Sequence, residues 1–226
     1  MKAWPKVYLA GPDVFNEHAW EDLLKKKEAL AHYRLEALLP LDNQMEACLL
    51  EDLPLSTQNK FSGEHLSLPS AQTDISFEQR WNACVNKQQQ QTSPALAYAI
   101  YQANIQKMEE AQAMLANVDP FRGPHMDPGT AFEIGFFVAK AKPVVCYTHR
   151  PSTVLERVRQ WSGEVKGAAP EMRDRDNRLI EDFNLQENLM IEGSLWKQHQ
   201  KYPLPSVVCH SFEEAVKNLA SFLYGL

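Results

Sequence analysis

A strand-to-helix connection runs through Asp119-Pro-Phe-Arg-Gly-Pro-His-Met-Asp-Pro-Gly-Thr-Ala-Phe-Glu-Ile-Gly135. The apolar run at residues 113–118 precedes it and predicts a buried strand, and residues 130–141 have the pattern of a helix. Three prolines and two glycines between these two elements indicate a loop. Open parallel sheets bind ligands where strands end and helices begin, so this connection is the first candidate for a functional site.

Two acidic residues of this connection are expected to have different surroundings. Asp127 stands before Pro128, and this pair is typical of the N-cap and the first position of a helix. Glu133 lies further inside that helix, with small residues on one side and two phenylalanines on the other. Burying a carboxylate there is costly, which makes Glu133 a candidate functional residue. The alternative is an ordinary helix glutamate that reaches solvent or a salt bridge.

Strand and helix patterns alternate along the rest of the chain. Helices are predicted after Asn16, over residues 95–111 and after Ser211, and further strands are predicted at residues 6–11, 34–40, 143–147 and 206–210. This alternation indicates an α/β fold, in which a parallel sheet carries helices on both faces.

Two segments interrupt the alternation. Residues 46–94 are polar and irregular. They are predicted to be an insertion, partly helical around residues 77–86, that forms either a lid or an oligomer contact. Residues 161–182 are rich in charge and are predicted to be a solvated surface excursion. No second core is indicated, so the 226 residues are expected to form a single domain with an insertion at about 46–94.

The composition excludes several classes of protein. A formal net charge of -6 argues against general binding to nucleic acid or to anionic membranes. The four cysteines are far apart, and no apolar stretch is long enough for a signal peptide or a membrane span, so a cytoplasmic protein with reduced thiols is expected. No glycine-rich dinucleotide motif, phosphate-binding lysine loop or Cys/His cluster is present, so no cofactor and no metal are expected.

Five blocks of sequence, taken together and in order, resemble the nucleoside 2-deoxyribosyltransferase family. The blocks are Tyr8–Asn16, Pro40–Gln44, Asn104–Gln106, Pro120–Gly135 and Glu187–Met190. The resemblance implies a flavodoxin-like α/β fold with a doubly wound, five-stranded parallel sheet. It also implies an enzyme of nucleotide salvage that exchanges the base of a 2′-deoxynucleoside for another base through a covalent deoxyribosyl-enzyme.

The resemblance implies a catalytic role for three residues. Glu133 is implied to be the nucleophile, which captures C1′ of the sugar from the face opposite the base. Tyr8 is implied to donate a hydrogen bond to that nucleophile, and a phenol donor favours the ionised carboxylate against the effect of burial. Asp127 is implied to contact the base and to manage its proton. The structural alternatives are an ordinary strand tyrosine and a plain N-cap, although capping and substrate contact are compatible.

Four further residues are implied to bind substrate. Gly11 belongs to the loop after the first strand, Gln44 matches a residue near the base, and Asn104 stands where some relatives have an aspartate at the sugar hydroxyls. Asn188 matches an asparagine that reaches the 5′-hydroxyl from a neighbouring subunit, so a homodimer or higher homo-oligomer with a shared site is expected. The expected partners are a 2′-deoxynucleoside and a free purine or pyrimidine base. Gln112 departs from an aspartate found in many relatives, and no role is assigned to it.

Two other functions stay open on the sequence alone. A related N-hydrolase cleaves 2′-deoxynucleoside 5′-phosphates and has a serine- and glycine-rich first loop. Here that loop is Ala10-Gly-Pro-Asp13, and Asp13 would repel a phosphate, whereas Arg122 is able to meet one. A nucleoside-binding module without catalysis is the third class, and the presence of all three implied catalytic residues argues against it.

Overall fold

A computed structural model describes residues 3–40, 94–202, 204 and 208–225 of the chain. The chain divides into two compact units, one made of residues 1–39 and 110–226 and the other of residues 40–109. All five strands lie in the first unit. Gln44 and the predicted insertion at 46–94, apart from its last residue, lie outside the described residues, and the single domain stays a prediction.

The first unit is built on a five-stranded sheet in the order β2-β1-β3-β4-β5, and all four strand pairings are parallel. The strands are β1 (Lys6–Ala10), β2 (Glu36–Leu38), β3 (Ala113–Asn117), β4 (Val144–Tyr147) and β5 (Val208–Cys209). This order is the flavodoxin-like one, so the predicted fold class is confirmed. The strands β1 and β3 are neighbours, with Tyr8 opposite Met114, which brings together the carboxyl ends of two strands that are distant in sequence.

Helices cover both faces of this sheet. In chain order, the described helices are α1 (Ala19–His32), α2 (Pro94–Glu110), α3 (Pro128–Ala139), α4 (Val154–Ser162), α5 (Leu189–Lys201) and α6 (Phe212–Tyr224), of which α2 belongs, apart from its last residue, to the other unit. Helices α1 and α6 contact each other, as do α3 and α5. Tyr8 points toward α3, whereas Tyr147 packs against Phe212 of α6 and accepts a hydrogen bond from Lys26 of α1. The two pairs of helices therefore lie on opposite faces.

The predicted strands are confirmed, although the fifth is described only at Val208–Cys209. The helix expected after Asn16 begins at Ala19, because residues 17–18 form a turn that follows the short 3₁₀ helix Pro12–Phe15. The central helix begins at Pro128 with Asp127 as its N-cap, as predicted. Ser211 caps α6, and its side chain accepts a hydrogen bond from the Glu214 N–H.

Helices α4 and α5 were not among the predicted elements. The start of α4 carries a capping box: Thr153 accepts from the Glu156 N–H at 3.2 Å, and the Glu156 carboxylate accepts from the Thr153 N–H at 2.8 Å. The helix ends at Gly163 in the left-handed conformation. Both signals are present in the sequence, and the start of this helix was predictable from them.

The charged segment 161–182 is only partly a solvated excursion. Its residues Met172 and Ile180 are buried against Val154 and Val158 of α4 in a small satellite core. Its chain folds back on itself through antiparallel bridges from Arg173. The prediction is wrong for these apolar positions because the charges between them hid their pairing. Among the described residues, no helix combines the length and the apolar composition needed to cross a membrane.

Gly11 allows the loop after β1 to pass close to the end of β3. Its φ is +146°, in the region that side-chain-bearing residues rarely adopt. A Cβ at this position would lie 2.6 Å from the Asn117 Cβ and 2.8 Å from an oxygen of Asp13. The close approach therefore explains a glycine at this position without any contact to substrate.

The variant Gly11→Ala is expected to lower the free energy of unfolding by about 1–3 kcal/mol, because it adds both backbone strain and a clash. Urea denaturation measures this loss. The matched control is Gly193→Ala, on an exposed position inside α5 where a Cβ would meet nothing within 4 Å. That control is expected to be neutral or to stabilise by about 0.5–1 kcal/mol. Equal midpoints for the two variants would contradict the account of Gly11.

Candidate active site

Tyr8 and Glu133 form the central contact of the site. Tyr8 is fully buried in β1, and its hydroxyl donates a hydrogen bond to Oε1 of Glu133 at 2.6 Å. Phe137, one turn further along α3, packs against the Tyr8 ring with centroids 5.9 Å apart. The two residues are 125 positions apart in sequence and meet because β1 and β3 are neighbours and α3 covers that face. The structure thus brings together two of the three predicted catalytic residues.

The Glu133 carboxylate has an unusual affinity for protons. Its pKa is raised from the ordinary value of 4.5 to about 7, because burial and the negative charge of Asp127 raise it by more than the hydrogen bond from Tyr8 lowers it. Burial is the largest of these causes. The pKa of Tyr8 is raised well above its usual range by burial and by the adjacent carboxylate, so the phenol stays a hydrogen-bond donor. A carboxylate with a pKa near neutrality is a common feature of functional sites.

Asp127 combines a structural role with an available oxygen. Its Oδ2 accepts hydrogen bonds from the Thr130 N–H at 2.8 Å and from the Thr130 hydroxyl at 3.1 Å, which caps α3. The other oxygen, Oδ1, accepts no hydrogen bond within the described part of the chain. A Cβ on Gly129 would lie 2.9 Å from Oδ2, so the glycine leaves room for the carboxylate. Asp127 is therefore able to cap the helix and contact a ligand at the same time.

Asp13 is neutralised by a cation, which the sequence did not reveal. Its Oδ1 lies 2.7 Å from the Lys26 ammonium, and both side chains are largely buried. Asn117 also donates to both oxygens of Asp13, at 3.2 and 3.3 Å. Because Lys26 offsets its charge, Asp13 repels a phosphate less than the sequence argument assumed, and that argument against an N-hydrolase is weakened.

Aromatic rings from two loops stack at the surface near this connection. The Phe15 and Phe121 rings lie 5.0 Å apart at an interplanar angle of 24°. The Arg122 guanidinium lies over both rings, 4.6 Å from the centroid of Phe121 and 5.4 Å from that of Phe15. Arg122 is thus engaged in cation–π contacts.

Asn188 is the N-cap of α5. Its side-chain oxygen accepts from the Met190 N–H at 2.9 Å, and its amide nitrogen donates to Glu181 at 2.9 Å. Contact with a sugar hydroxyl would require the amide to leave or share the Glu181 carboxylate. A substrate role for Asn188 therefore stays a prediction beside this structural one.

Asn104 and Gln112 are the two remaining positions that the sequence singled out. Asn104 belongs to α2, in the unit of residues 40–109, and its role stays a prediction. Gln112 lies just before β3, where its side chain accepts from the Lys6 N–H at 2.6 Å and donates to the Glu110 carbonyl at 2.9 Å. Gln112 therefore joins the amino ends of β1 and β3.

A buried ion pair lies beneath the loop that leads to Asp127. The Arg157 guanidinium of α4 lies 2.7 Å from Oε1 of Glu187, and the two side chains are only 5% and 2% exposed. Oε1 also accepts a hydrogen bond from the Met126 N–H at 3.1 Å. This pair was not predictable from the sequence, because the two charges are 30 residues apart and no local pattern links them.

A cavity of about 490 Å³ opens between α1, α6 and the loops after β1, β3 and β4. Its described walls contain paired charges, Asp13 with Lys26 and Asp119 with His149, and do not include Tyr8, Asp127 or Glu133. The chemistry of the Tyr8–Glu133 contact therefore does not belong to this cavity. Among the residues that the structure covers, no three His, Cys, Asp or Glu side chains group so as to hold a metal ion.

These features define a class of protein: a flavodoxin-like α/β protein with a desolvated carboxylate, held by a buried phenol, on the helix after the central strand. The sequence profile described as "Nucleoside 2-deoxyribosyltransferase" matches residues 7–190. The chain therefore belongs to the nucleoside 2-deoxyribosyltransferase family.

Three relatives share 20–24% of their residues with this chain. An uncharacterized protein of Schizosaccharomyces pombe is 24% identical over 230 residues, covering 97% of this chain and 90% of that one. The solved structure of a 2-desoxiribosyltransferase from Leishmania mexicana superimposes with a TM-score of 0.57 at 20% identity, covering 96% and 97% of the two chains. A 2-deoxyribosyltransferase from Bacillus psychrosaccharolyticus is also 20% identical, over 65% of this chain and 74% of that one, with a TM-score of 0.36. The Leishmania structure supports the fold.

Removing the neighbours of Glu133 is expected to move its pKa in opposite directions. Tyr8→Phe deletes the hydrogen bond that favours the carboxylate and raises the pKa above about 7, whereas Asp127→Asn deletes a negative charge and lowers it. Carbon NMR titration of glutamate-labelled protein measures both shifts, with the Glu133→Gln spectrum identifying the resonance. A Tyr8→Phe pKa equal to or below that of the wild type would contradict this view of the contact.

The raised pKa of Glu133 also predicts a pH-dependent stability. The folded protein holds this proton more tightly than the unfolded chain, so stability falls as pH rises from 4.5 to about 7. Glu133→Gln removes that dependence and is expected to stabilise by about 2–3 kcal/mol more at pH 8 than at pH 4, relative to wild type. Urea denaturation at both pH values measures the difference, and a gain confined to low pH would oppose the assignment.

Proposed function

We propose that the protein is a nucleoside 2-deoxyribosyltransferase, which exchanges the base of a 2′-deoxynucleoside for a free purine or pyrimidine base. The observation that carries the proposal is the 2.6 Å hydrogen bond from Tyr8 to the desolvated carboxylate of Glu133. Membership of the family supports the type of reaction. A role in nucleotide salvage in the cytoplasm belongs to the same proposal.

The first half-reaction forms a covalent intermediate. An oxygen of the ionised Glu133 forms a bond to C1′ from the face opposite the base while the C1′–N bond breaks. The electron pair of that bond leaves with the base, and one proton completes the free base. Tyr8 donates its hydrogen bond to the carboxylate, which holds Glu133 in one orientation for the attack.

The second half-reaction reverses these steps with a different base. A nitrogen of the incoming base attacks C1′, the C1′–O bond breaks, and its electron pair returns to Glu133. The incoming base loses one proton, which balances the proton gained by the departing base. Asp127 is the residue proposed to give and recover this proton, because Oδ1 stays available while Oδ2 caps α3.

A second candidate is hydrolysis of a 2′-deoxynucleoside 5′-phosphate by the same carboxylate. The observation in its favour is the ion pair between Lys26 and Asp13 at 2.7 Å, which offsets the negative charge in the first loop. In this case, water replaces the incoming base and a free sugar phosphate is the product. A nucleoside-binding module without turnover is the remaining alternative.

The proposal includes a site shared between two copies of the chain. Asn188 is proposed to reach the 5′-hydroxyl of a nucleoside in the partner's site. Exposed apolar side chains on α5 support self-association, since such surfaces commonly mark interfaces. They are Leu189, Met190 and Trp196.

Product analysis tests the proposed reaction. With deoxyinosine and adenine, the wild-type protein is expected to form deoxyadenosine and hypoxanthine, and formation of deoxyadenosine requires adenine. Glu133→Gln is expected to lower this turnover by more than about a thousand-fold, because an amide is a poor nucleophile. The matched control, Glu28→Gln at an exposed position of α1, is expected to keep full activity.

Two outcomes of this assay would oppose the transferase. Release of free sugar phosphate from deoxyinosine 5′-monophosphate, with no exchange of free bases, would favour the hydrolase. Near-wild-type exchange by Glu133→Gln would remove Glu133 as the nucleophile.

Mixing two defective variants tests the shared site. Asn188→Ser keeps a side chain able to cap α5 but loses the amide, and turnover is expected to fall by about ten- to a hundred-fold for one lost hydrogen bond. When it exchanges subunits with inactive Glu133→Ala, mixed dimers hold one complete site, and about a quarter of the wild-type activity returns.

The control for this experiment mixes Glu133→Ala with Glu133→Gln, which is expected to restore nothing. Differently tagged subunits verify the exchange. Proven exchange without recovered activity would restrict Asn188 to its own chain, and so would a monomer with full activity.

A further inference from the structure

The buried pair of Arg157 and Glu187 makes hydrogen bonds beyond its own ion pair. The Glu187 carboxylate is 2% exposed and lies between α4, the segment before α5 and the loop before α3. Burying an ion pair gives little net stability when compared with apolar packing. The contacts of the carboxylate therefore indicate another role for this pair.

The two oxygens of Glu187 contact the neighbours of two proposed substrate residues. Oε1 accepts from the Met126 N–H at 3.1 Å, and Met126 directly precedes Asp127. Oε2 accepts from the N–H of Asn188 at 3.2 Å. One carboxylate thus touches the peptide before the proposed proton carrier and the peptide of the proposed sugar contact.

Glu187 is itself held from several directions. The Glu192 carboxylate accepts from the backbone N–H groups of Gln186 and Glu187, at 2.5 and 2.7 Å. Arg157 donates to the Gln186 carbonyl as well as to Glu187. Because the segment is fixed on both sides, the carboxylate is able to transmit a defined position to the Met126 peptide.

We propose that Glu187, held by Arg157, is a positioning residue for the transfer reaction: it fixes the Met126–Asp127 peptide so that Asp127 meets the departing base. This inference rests on the proposed function. Glu187 does not touch the substrate and acts through Asp127. A reaction that depends on alignment loses rate steeply when a proton carrier shifts by a fraction of an ångström.

A pair of substrates separates this role from general loosening of the structure. Deoxyinosine needs a proton on its departing base, whereas 7-methyl-2′-deoxyguanosine already carries a positive charge and leaves as a neutral base without one. Glu187→Gln is therefore expected to lower kcat/KM for deoxyinosine by about ten- to a hundred-fold and that for the methylated nucleoside by less than about threefold. Asp127→Asn is expected to show the same selectivity.

Amide hydrogen exchange provides a readout that does not depend on activity. The Met126 amide is expected to exchange faster in Glu187→Gln, whereas the buried Val144 amide, which donates to Gln198 at 3.1 Å, is expected to be unchanged. Ser211→Ala is the matched control, because it removes the cap of α6, which contacts neither Arg157 nor Glu187. It is expected to affect both nucleosides equally. If Glu187→Gln does not fold, Glu187→Asp is tested in the same way. This variant keeps the charge beside Arg157 and shortens the reach of the carboxylate to Met126.

The outcomes separate this inference from the proposed function. If the wild type turns over both nucleosides and Glu187→Gln loses both equally or neither, the positioning role is overturned while the transferase stands. The same holds if Ser211→Ala reproduces the selective loss. If the wild type turns over neither nucleoside with adenine present, the proposed function fails and the positioning role fails with it.

Discussion

The structure of the site depends on one hydrogen bond between a phenol and a carboxylate that burial would otherwise neutralise. Burial is the main cause of the rise in the pKa of Glu133 to about 7, and the Tyr8 hydroxyl at 2.6 Å limits this rise by favouring the ionised form. The resulting group is near its pKa at neutral pH, so ionised Glu133 is present there although the side chain is partly buried. Both proposed reactions, base exchange and hydrolysis, require an ionised carboxylate at this position.

The fold supplies this contact from segments that are far apart in sequence. Strand β1 carries Tyr8, the adjacent strand β3 leads into the loop, and α3 returns Glu133 over the same face of the sheet. Asp127 fixes the start of that helix, and the buried carboxylate of Glu187 holds the peptide before it. The geometry of the site is therefore set by the parallel pairing of β1 with β3 and by one buried ion pair.

Structural features that depend on local sequence patterns were predictable. The strands, the cap at Asp127 and the acidic position at Glu133 follow from apolar periodicity and helix-start signals, and the residue blocks implied the family and the sheet order. The pairs Lys26–Asp13 and Arg157–Glu187 were not predictable, because their members are brought together only by the fold. The charge of Asp13 was consequently overestimated as a barrier to phosphate. Helix α4 was not predicted, although the residues of its capping box, Thr153 and Glu156, have the spacing that identifies a helix start in a sequence.

Trapping the sugar on the enzyme tests directly whether Glu133 is the nucleophile. Wild-type protein is incubated with deoxyinosine without an acceptor base, quenched in acid, digested and analysed by mass spectrometry. We expect one peptide, containing Glu133, to gain the mass of a single deoxyribosyl group, and we expect adenine added before the quench to remove it. Base exchange that proceeds with no adduct, or with an adduct on another residue, would contradict the role of Glu133 as nucleophile.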